Sequence, residues 1–294
     1  MVSKQPDRSH ARNIEAQFGL DGGSWMQRLV ARGLMFALGS ATVPRQQAST
    51  DEIASLETRY VRSANGFDIA YLEGGDANGR PVIFVHGTPG SARGWADYLL
   101  SAPSAFHRIA LDRPGFGQSG PNGAVVSLDE QARAVIEVVR AQNAGPAILV
   151  GHSYGAPVVV QAAADAPELI AAVVVLAGSL DPALEHVSFV QHLGDRWPLR
   201  EILLRGLRNS NRELIALKGE LERLAPRLNT IAKPFVIVHG TADKLVPFAN
   251  VPFLKACLTG ATHLEIVEIE GQDHFLPWNA RTRVEEAIAK AAAV

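Results

Sequence analysis

A mainly parallel, eight-stranded α/β sheet with helices on both faces is the fold class this sequence predicts, and three observations lead there. From Thr58 onward, short apolar runs alternate with helical patterns, as strand and helix units in a parallel sheet require. The runs at Pro81–Val85, Ala147–Val150, Ala171–Leu176 and Pro234–Val238 are apolar throughout, so both faces of the sheet have to be covered. At Ala147–Pro167 one such run passes through Gly151-His-Ser-Tyr-Gly155 directly into a helical pattern.

With 294 residues, 47% of them hydrophobic, the chain has ample material for a sizeable core, in one large α/β domain or two small ones. The net charge of −2 and a pI near 6.5 give no basic field, and no helix or stripe is dense in Lys and Arg with interleaved aromatics. Nucleic acid is therefore excluded as an expected partner. A single cysteine, Cys257, rules out an internal disulfide framework and a cysteine-based zinc site. It fits a reducing compartment, the cytoplasm being the expected location, and reads as a buried small side chain.

Residues 1–57 differ from the rest and are expected to form an N-terminal helical extension. Met1–Thr50 carries six Lys or Arg against three Asp or Glu. Trp25, Met26, Leu29, Val30, Leu34, Met35 and Leu38 recur at helical spacing, with Arg28 and Arg32 among them. Three readings stay open: a helix packed on the body, which is favoured, an amphipathic helix making peripheral membrane contact, or a signal sequence ending near Val43. The stretch is too short to span a bilayer, which takes about 20 apolar residues.

Residues 58–294 form the main domain. Tyr60–Arg62 and Phe67–Leu72 read as strands joined by a hairpin turn at Asn65-Gly66. Strands follow at Pro81–His86, His107–Leu111, Ala147–Val150 and Ala171–Leu176, with helices at Ser91–Leu100 and Leu128–Gln142 between them. The alternation then stops: over about residues 180–232 there is no strand signal, only helical patches at Pro182–Leu193, Leu199–Leu207 and Arg212–Leu224, the last preceded by Asn209-Ser-Asn211 as a capping cluster. This is an inserted helical lid, with Phe189, Trp197 and many leucines expected on its inner face. Strands resume at Pro234–Val238 and Leu264–Ile269, with helices at Asn250–Cys257 and Arg281–Ala293.

In an open parallel sheet, chemistry collects beyond the carboxyl ends of the strands. There the sequence places His86-Gly-Thr-Pro-Gly90, Asp112-Arg-Pro-Gly-Phe-Gly-Gln-Ser-Gly120, Ser153, Asp181, His239-Gly-Thr-Ala-Asp243 and Gly271-Gln-Asp-His274. Gly-x-Ser-x-Gly between strand and helix is a nucleophile elbow, which lifts the Ser153 hydroxyl above the sheet. A serine hydroxyl needs an imidazole to take its proton and a carboxylate to hold that imidazole, and in chain order acid and then histidine follow the serine. His274 and Asp243 fill these places, with Asp181 as the competing acid. The backbone N–H groups of Thr88 and Tyr154 are the expected oxyanion donors. His86, His152 and His239 read as loop-shaping hydrogen-bonding groups, and Asp112 as an anchor of its own loop. His10, His107, His186, His192 and His263 show no metal-site spacing, so no metal is expected.

These motifs, HGTPG, DRPGFGQSG, GHSYG, HGTADKLVP and GQDHF in that order, resemble those of the serine-dependent α/β-hydrolase fold family of the esterase, lipase and meta-cleavage hydrolase type, over about residues 58 to 294. The resemblance implies a cofactor-free hydrolase acting on a small-molecule substrate. The leading expectation is cleavage of a carboxylic ester of small to medium apolar size, with Trp95, Phe189, Trp197 and Phe275 against the substrate. Carbon–carbon bond hydrolysis, cofactor-free perhydrolysis and a ligand-binding protein with little turnover are the alternatives. Serine at 153 argues against the family's epoxide hydrolases and haloalkane dehalogenases, whose nucleophile is aspartate. HGTPG is similar to the HGGPG of proline iminopeptidases, with Thr88 in place of a glycine and no lid carboxylate evident for binding an amine. The elbow departs from the family's GHSxGG by Ala156-Pro157, which a first helical turn tolerates.

Overall fold

The computed structural model describes residues 46–294 together with Gln17 and Gln27. The strands are β1 (Thr58–Arg62), β2 (Asp68–Gly75), β3 (Arg80–Val85), β4 (Phe106–Leu111), β5 (Ala147–His152), β6 (Ile170–Leu176), β7 (Pro234–Gly240) and β8 (His263–Ile269). They form one sheet in the order β1-β2-β4-β3-β5-β6-β7-β8. β2 runs antiparallel to both β1 and β4, and every other pairing is parallel. The β1 and β2 hairpin turns at Asn65-Gly66, where Gly66 takes φ +83°, a backbone angle glycine adopts without a Cβ clash.

The apolar runs divide by strict alternation between the two faces. Ile83, Val85, Leu149, Val173, Val175, Phe235 and Ile237 face one core, with α3 (Leu128–Gln142), α4 (Gly155–Asp165) and α8 (Asn250–Cys257). Val82, Phe84, Ile148, Val150, Val174, Val236 and Val238 face the other, with α2 (Ala96–Leu100) and α10 (Arg281–Ala293). Burying each such side chain stabilises by about 1.5–3 kcal/mol, which is why the strands contain so little polar sequence. Helix α3 has the predicted limits, closed by Ser127 at its N-cap and by Asn143, at φ +48°, at its C-cap.

The expected helix over Trp25–Leu38 lies outside the described residues except for Gln27. The described parts of the N-terminal segment touch the body. Gln17 is buried and its carbonyl accepts from Ser91 Oγ, and Gln27 Nε2 donates to the carbonyls of Glu201 and Leu203. A short helix, α1 (Thr50–Ser55), opens with a Ser49/Glu52 capping box, and the Asp97 carboxylate accepts from the N–H groups of Gln47 and Ala48 just before it. Among the described residues no helix is long and apolar enough to cross a membrane.

The helices between β6 and β7 correct several expectations. Pro182–Leu193 is a single 3-10 turn, Pro182–Leu184, followed by α5 (Phe189–Gly194); α6 stops at Ile202 (Leu199–Ile202); and α7 begins at Arg205 and runs to Leu224. Asn209-Ser-Asn211 is therefore helix interior and not a cap. Each of the three finds a partner that leaves the helical backbone intact: Asn209 donates to the Gly115 and Asn122 carbonyls, Ser210 to Gly206, and Asn211 to Gln191. Phe189 and Trp197 are 79% and 75% exposed, so they do not supply an inner face. Trp95 is also displaced from its expected role. A 3-10 turn at Ala92–Trp95 drives the indole into the core, 4.9 Å from the ring of Phe84 and 5.5 Å from that of Tyr98. Cys257 is half-buried rather than buried.

Two glycine substitutions separate the packing constraints. In Gly155→Ala the new Cβ would stand 2.3 Å from the Val85 carbonyl oxygen, and overpacking against rigid backbone costs about 1–3 kcal/mol. Gly219→Ala, in the middle of α7, meets only the end of Arg223 at 3.9 Å, and a mid-helix glycine is worth about 0.5–1 kcal/mol less than alanine. Thermal melts should show the first variant several degrees below the parent and the second above it.

Candidate active site

The site begins at the end of β5. Ser153 has φ +56°, a left-handed angle that a residue with a side chain adopts only when its surroundings impose it. They do so here. The Ser153 N–H donates to the Leu176 carbonyl at 3.0 Å, Ala156 N–H donates back to the Ser153 carbonyl, and α4 passes so close that a Cβ on Gly151 would lie 2.4 Å from the Gly155 carbonyl oxygen. Ser153 Oγ makes no hydrogen bond among the described residues. Contacts of a reacting hydroxyl are commonly long before substrate binds and tighten afterwards.

Asp243 and His274, from the loops after β7 and β8, meet on the same edge. His274 Nδ1 donates to Asp243 Oδ2 at 2.8 Å, and both side chains are buried. The other carboxylate oxygen, Oδ1, accepts from the N–H groups of Leu245 and Val246. Asp243 thus starts the Lys244-Leu-Val turn and holds the imidazole, one oxygen for each. Burial pushes its carboxyl up, but the His274 hydrogen bond, the charge interaction with His274 and the Val246 N–H outweigh it and hold it below the usual carboxylate range. The competing Asp181 is spent on Ala183 N–H, beside the Asn250 side chain.

On the opposite side of Ser153 lies the loop after β3. A Cβ on Gly87 would come within 2.9 Å of Ser153 Cβ and 3.4 Å of its Oγ, so only glycine allows this approach. The N–H groups of Thr88 and Tyr154 have no hydrogen-bond partner among the described residues. Tyr154 is the N-cap of α4, whose first N–H groups lack helical acceptors. Phe275 is half-buried beside the His274 ring, with centroids 5.8 Å apart, and 6.3 Å from Trp278. Two surface hollows lie away from this edge: one of about 390 Å³ lined by Asn78, Arg80 and Lys233, and one of about 570 Å³ lined by Phe248, Lys255 and Ile266.

Three more histidines crowd this edge, and each holds a backbone carbonyl. His86 Nε2 accepts from Arg113 N–H, which leaves Nδ1 to carry the proton and donate to the Gly87 carbonyl at 2.7 Å. His152 donates from Nε2 to the carbonyl of His274, with the two rings 4.8 Å apart. His239 donates from Nε2 to the Val246 carbonyl. Burial lowers the pKa of all three, that of His152 to about 3, with the neighbouring His274 adding to the shift. They are neutral at pH 7. Asp112 accepts from Ala92 and Gln118 N–H, fixing its own loop. No group of three or more metal-binding side chains is assembled among the described residues.

Sequence reasoning missed Arg113 and Glu213. They form a bidentate ion pair at 2.7 and 3.0 Å with neither side chain exposed, and Thr88 Oγ1 donates to the same carboxylate at 2.6 Å. Arg113 sits inside the glycine-rich loop Asp112–Gly120 and Glu213 on a helix of mixed charge, so neither residue type marks the pairing.

The sequence profile of the alpha/beta hydrolase fold matches residues 80–223. Among curated proteins, a non-heme chloroperoxidase of Streptomyces lividans is 27% identical, over 73% of this chain and 92% of its own length. A 2-(acetamidomethylene)succinate hydrolase of Mesorhizobium japonicum is 26% identical, over 68% of this chain and 83% of its own. Among solved structures, an E-2-(acetamidomethylene)succinate hydrolase superposes with a TM-score of 0.63 at 23% identity, over 81% of this chain and all of that one. The chain has the α/β-hydrolase fold, with an eight-stranded, mostly parallel sheet flanked by helices, and resembles that family's sequence over residues 80–223.

The buried neutral histidines predict how stability depends on pH. The ordinary histidine pKa is 6.5, and that of His152 in the folded chain is about 3. Between these values the unfolded chain binds more protons, so stability falls as pH drops from about 6.5 towards 3. Above 6.5 the group is neutral in both states and contributes no slope. Thermal melts from pH 7 to 4.5 should show a falling Tm, with a shallower fall in His152→Asn. An equal slope in the two proteins would contradict the assignment.

Proposed function

We propose that the protein is a serine hydrolase that cleaves a carboxylic ester of small to medium apolar size through an acyl-enzyme intermediate. The observation that carries this reading is the buried 2.8 Å hydrogen bond between His274 and Asp243, on the same sheet edge where Ser153 stands at φ +56°. With Nδ1 committed to Asp243, the remaining nitrogen, Nε2, is the one that takes the Ser153 proton. The Ser153 oxygen then attacks the ester carbonyl, and the negative charge on the former carbonyl oxygen is held by the N–H groups of Thr88 and Tyr154. Collapse breaks the bond to the alcohol, which leaves with the proton from His274. Water, deprotonated in turn by His274, attacks the acyl–Ser153 carbonyl and releases the acid, returning the proton to Ser153. Asp243 stays ionised throughout and stabilises the imidazolium formed twice in each cycle. Its depressed pKa supports that role.

The same residues suit hydrolytic cleavage of a carbon–carbon bond next to a carbonyl, with OH ending on the acyl carbon and the proton on the leaving carbon, or the use of peroxide in place of water as the second nucleophile. The resemblance to a chloroperoxidase supports keeping that second reading.

A fluorophosphonate probe should label the chain at Ser153, with labelling abolished in Ser153→Ala. p-Nitrophenyl esters of increasing acyl length should be hydrolysed, and Asp243→Asn should lower kcat by about 10⁴ through the wrong imidazole tautomer. Absence of labelling in the parent protein would overturn the serine mechanism. Labelling without turnover of any ester would transfer the reading to carbon–carbon hydrolysis or perhydrolysis.

A further inference from the structure

Glu213 lies on the lid helix α7 and Thr88 on the loop after β3, 125 positions apart in sequence, yet they share a hydrogen bond of 2.6 Å. The contact is one part of a closed network. Glu213 Oε1 accepts from Arg113 Nη1 at 2.7 Å and from Gln131 Nε2 at 3.0 Å; Oε2 accepts from Arg113 Nη2 and from Thr88 Oγ1. Ser210, one turn before Glu213 on α7, lies 2.9 Å from the same threonine hydroxyl.

Arg113 carries the network to the backbone. Its Nε donates to the His86 carbonyl at 2.9 Å and its Nη2 to the Gly87 carbonyl at 3.0 Å, the two carbonyls just before Thr88. Its guanidinium lies 4.6 Å over the ring of Tyr154 and 4.7 Å over that of Phe116. One ion pair therefore touches both residues whose N–H groups are assigned to the oxyanion: Thr88 through its hydroxyl and the two carbonyls before it, Tyr154 through its ring.

We infer that Glu213 is a positioning residue: through Thr88 and Arg113, the lid helix α7 fixes the oxyanion loop against Ser153. The inference rests on the serine-hydrolase reading above and adds to it a lid-borne determinant of transition-state stabilisation. Glu213 touches no reacting atom. Its effect falls on charge developed during the reaction and not on ground-state binding, so kcat changes while KM stays.

The test compares Thr88→Val, Thr88→Ser, Glu213→Gln and the double variant Thr88→Val/Glu213→Gln, with Glu285→Gln as a control. Glu285 pairs with buried Arg108 on the far side of the sheet, outside the site. For each, kcat and KM on a p-nitrophenyl ester, the rate of fluorophosphonate labelling and the Tm are measured. Thr88→Val keeps the backbone N–H and the ion pair but loses the hydroxyl. We expect it to lower kcat and labelling rate about tenfold, a part of the 10²–10³ that deleting a donor costs, with KM within about twofold. Thr88→Ser should recover most of that loss. Glu213→Gln should lower kcat at least as far, and the double variant should be no slower than Glu213→Gln alone, since both act through one contact. Glu285→Gln should lower Tm without the fall in kcat.

Wild-type kcat and labelling in Thr88→Val, or independent multiplying losses in the double variant, would overturn the inference. If Glu213→Gln does not accumulate folded, the two Thr88 variants decide alone, because they leave the ion pair whole. Failure of the underlying reading is distinct: the parent protein itself would resist the probe. If the parent is labelled but turns over no ester, the labelling rates carry the comparison.

Discussion

The backbone has to reverse from strand to helix within one residue at Ser153, and most of the site's geometry is measured from that turn. A side-chain-bearing residue at positive φ costs about 1–3 kcal/mol and persists only where its surroundings over-determine it. Here β5 lies hydrogen-bonded between β3 and β6, the Leu176 carbonyl at the end of β6 receives the Ser153 N–H, and α4 packs on the carbonyls of β3 with no space for a Cβ at 155. The loop carrying Gly87 and Thr88 leaves β3 beside the same turn. Three neighbouring strands therefore fix the hydroxyl, the helix N-terminus and the opposing loop in one operation.

Four buried histidines share this edge, and what separates them is the partner of each ring nitrogen. His86, His152 and His239 give their one proton to a backbone carbonyl, and burial holds them neutral. His274 gives its Nδ1 proton to a carboxylate instead. His239 Nε2 also comes within 3.6 Å of the Asp243 carboxylate, but it is bonded to the Val246 carbonyl and burial keeps the ring neutral, so the imidazole hydrogen-bonded to Asp243 is that of His274. His152, donating to the His274 carbonyl, sets the height of that loop above the residue next to Ser153.

The sheet was legible because its strands are covered on both faces and contain almost no polar residues, and α3, α8 and α10 were legible because their amphipathic pattern has clear ends. The helices between β6 and β7 were less so. Asn209-Ser-Asn211 carries the composition of a cap, and only tertiary acceptors on Gly115, Asn122 and Gln191 let it stay helical. Trp95 looks like a pocket residue in sequence because aromatic residues serve both purposes; a 3-10 turn decides for the core. The motif loops point to Ser153, Asp243 and His274 by residue type and place after the strands, and Asp243 and His274 do meet in a hydrogen bond at the sheet edge. Glu213 could not be found this way, since what defines it is a partner 100 residues earlier and burial that a mixed-charge helix does not advertise.

A buried ion pair is a poor source of stability, because desolvating two charges costs several kcal/mol per ion unless good geometry and further hydrogen bonds offset it. Arg113 and Glu213 meet that condition: the carboxylate accepts four hydrogen bonds, and the arginine reaches two carbonyls and two aromatic faces besides. Such an arrangement tolerates little displacement, which makes α7 energetically part of the sheet domain although in sequence it belongs to the insertion. The preceding arm is held differently. Its ion pairs lie at the surface, Asp195 at the end of α5 with Arg212 of α7 and Arg200 with Glu201 within α6, of a kind worth about 0–1 kcal/mol each, and Phe189, Val190 and Trp197 stand in solvent. Local stability follows buried contact, so within the insertion the residues from about 182 to 202 are the less firmly held, while α7 is tied to the loops at the sheet edge.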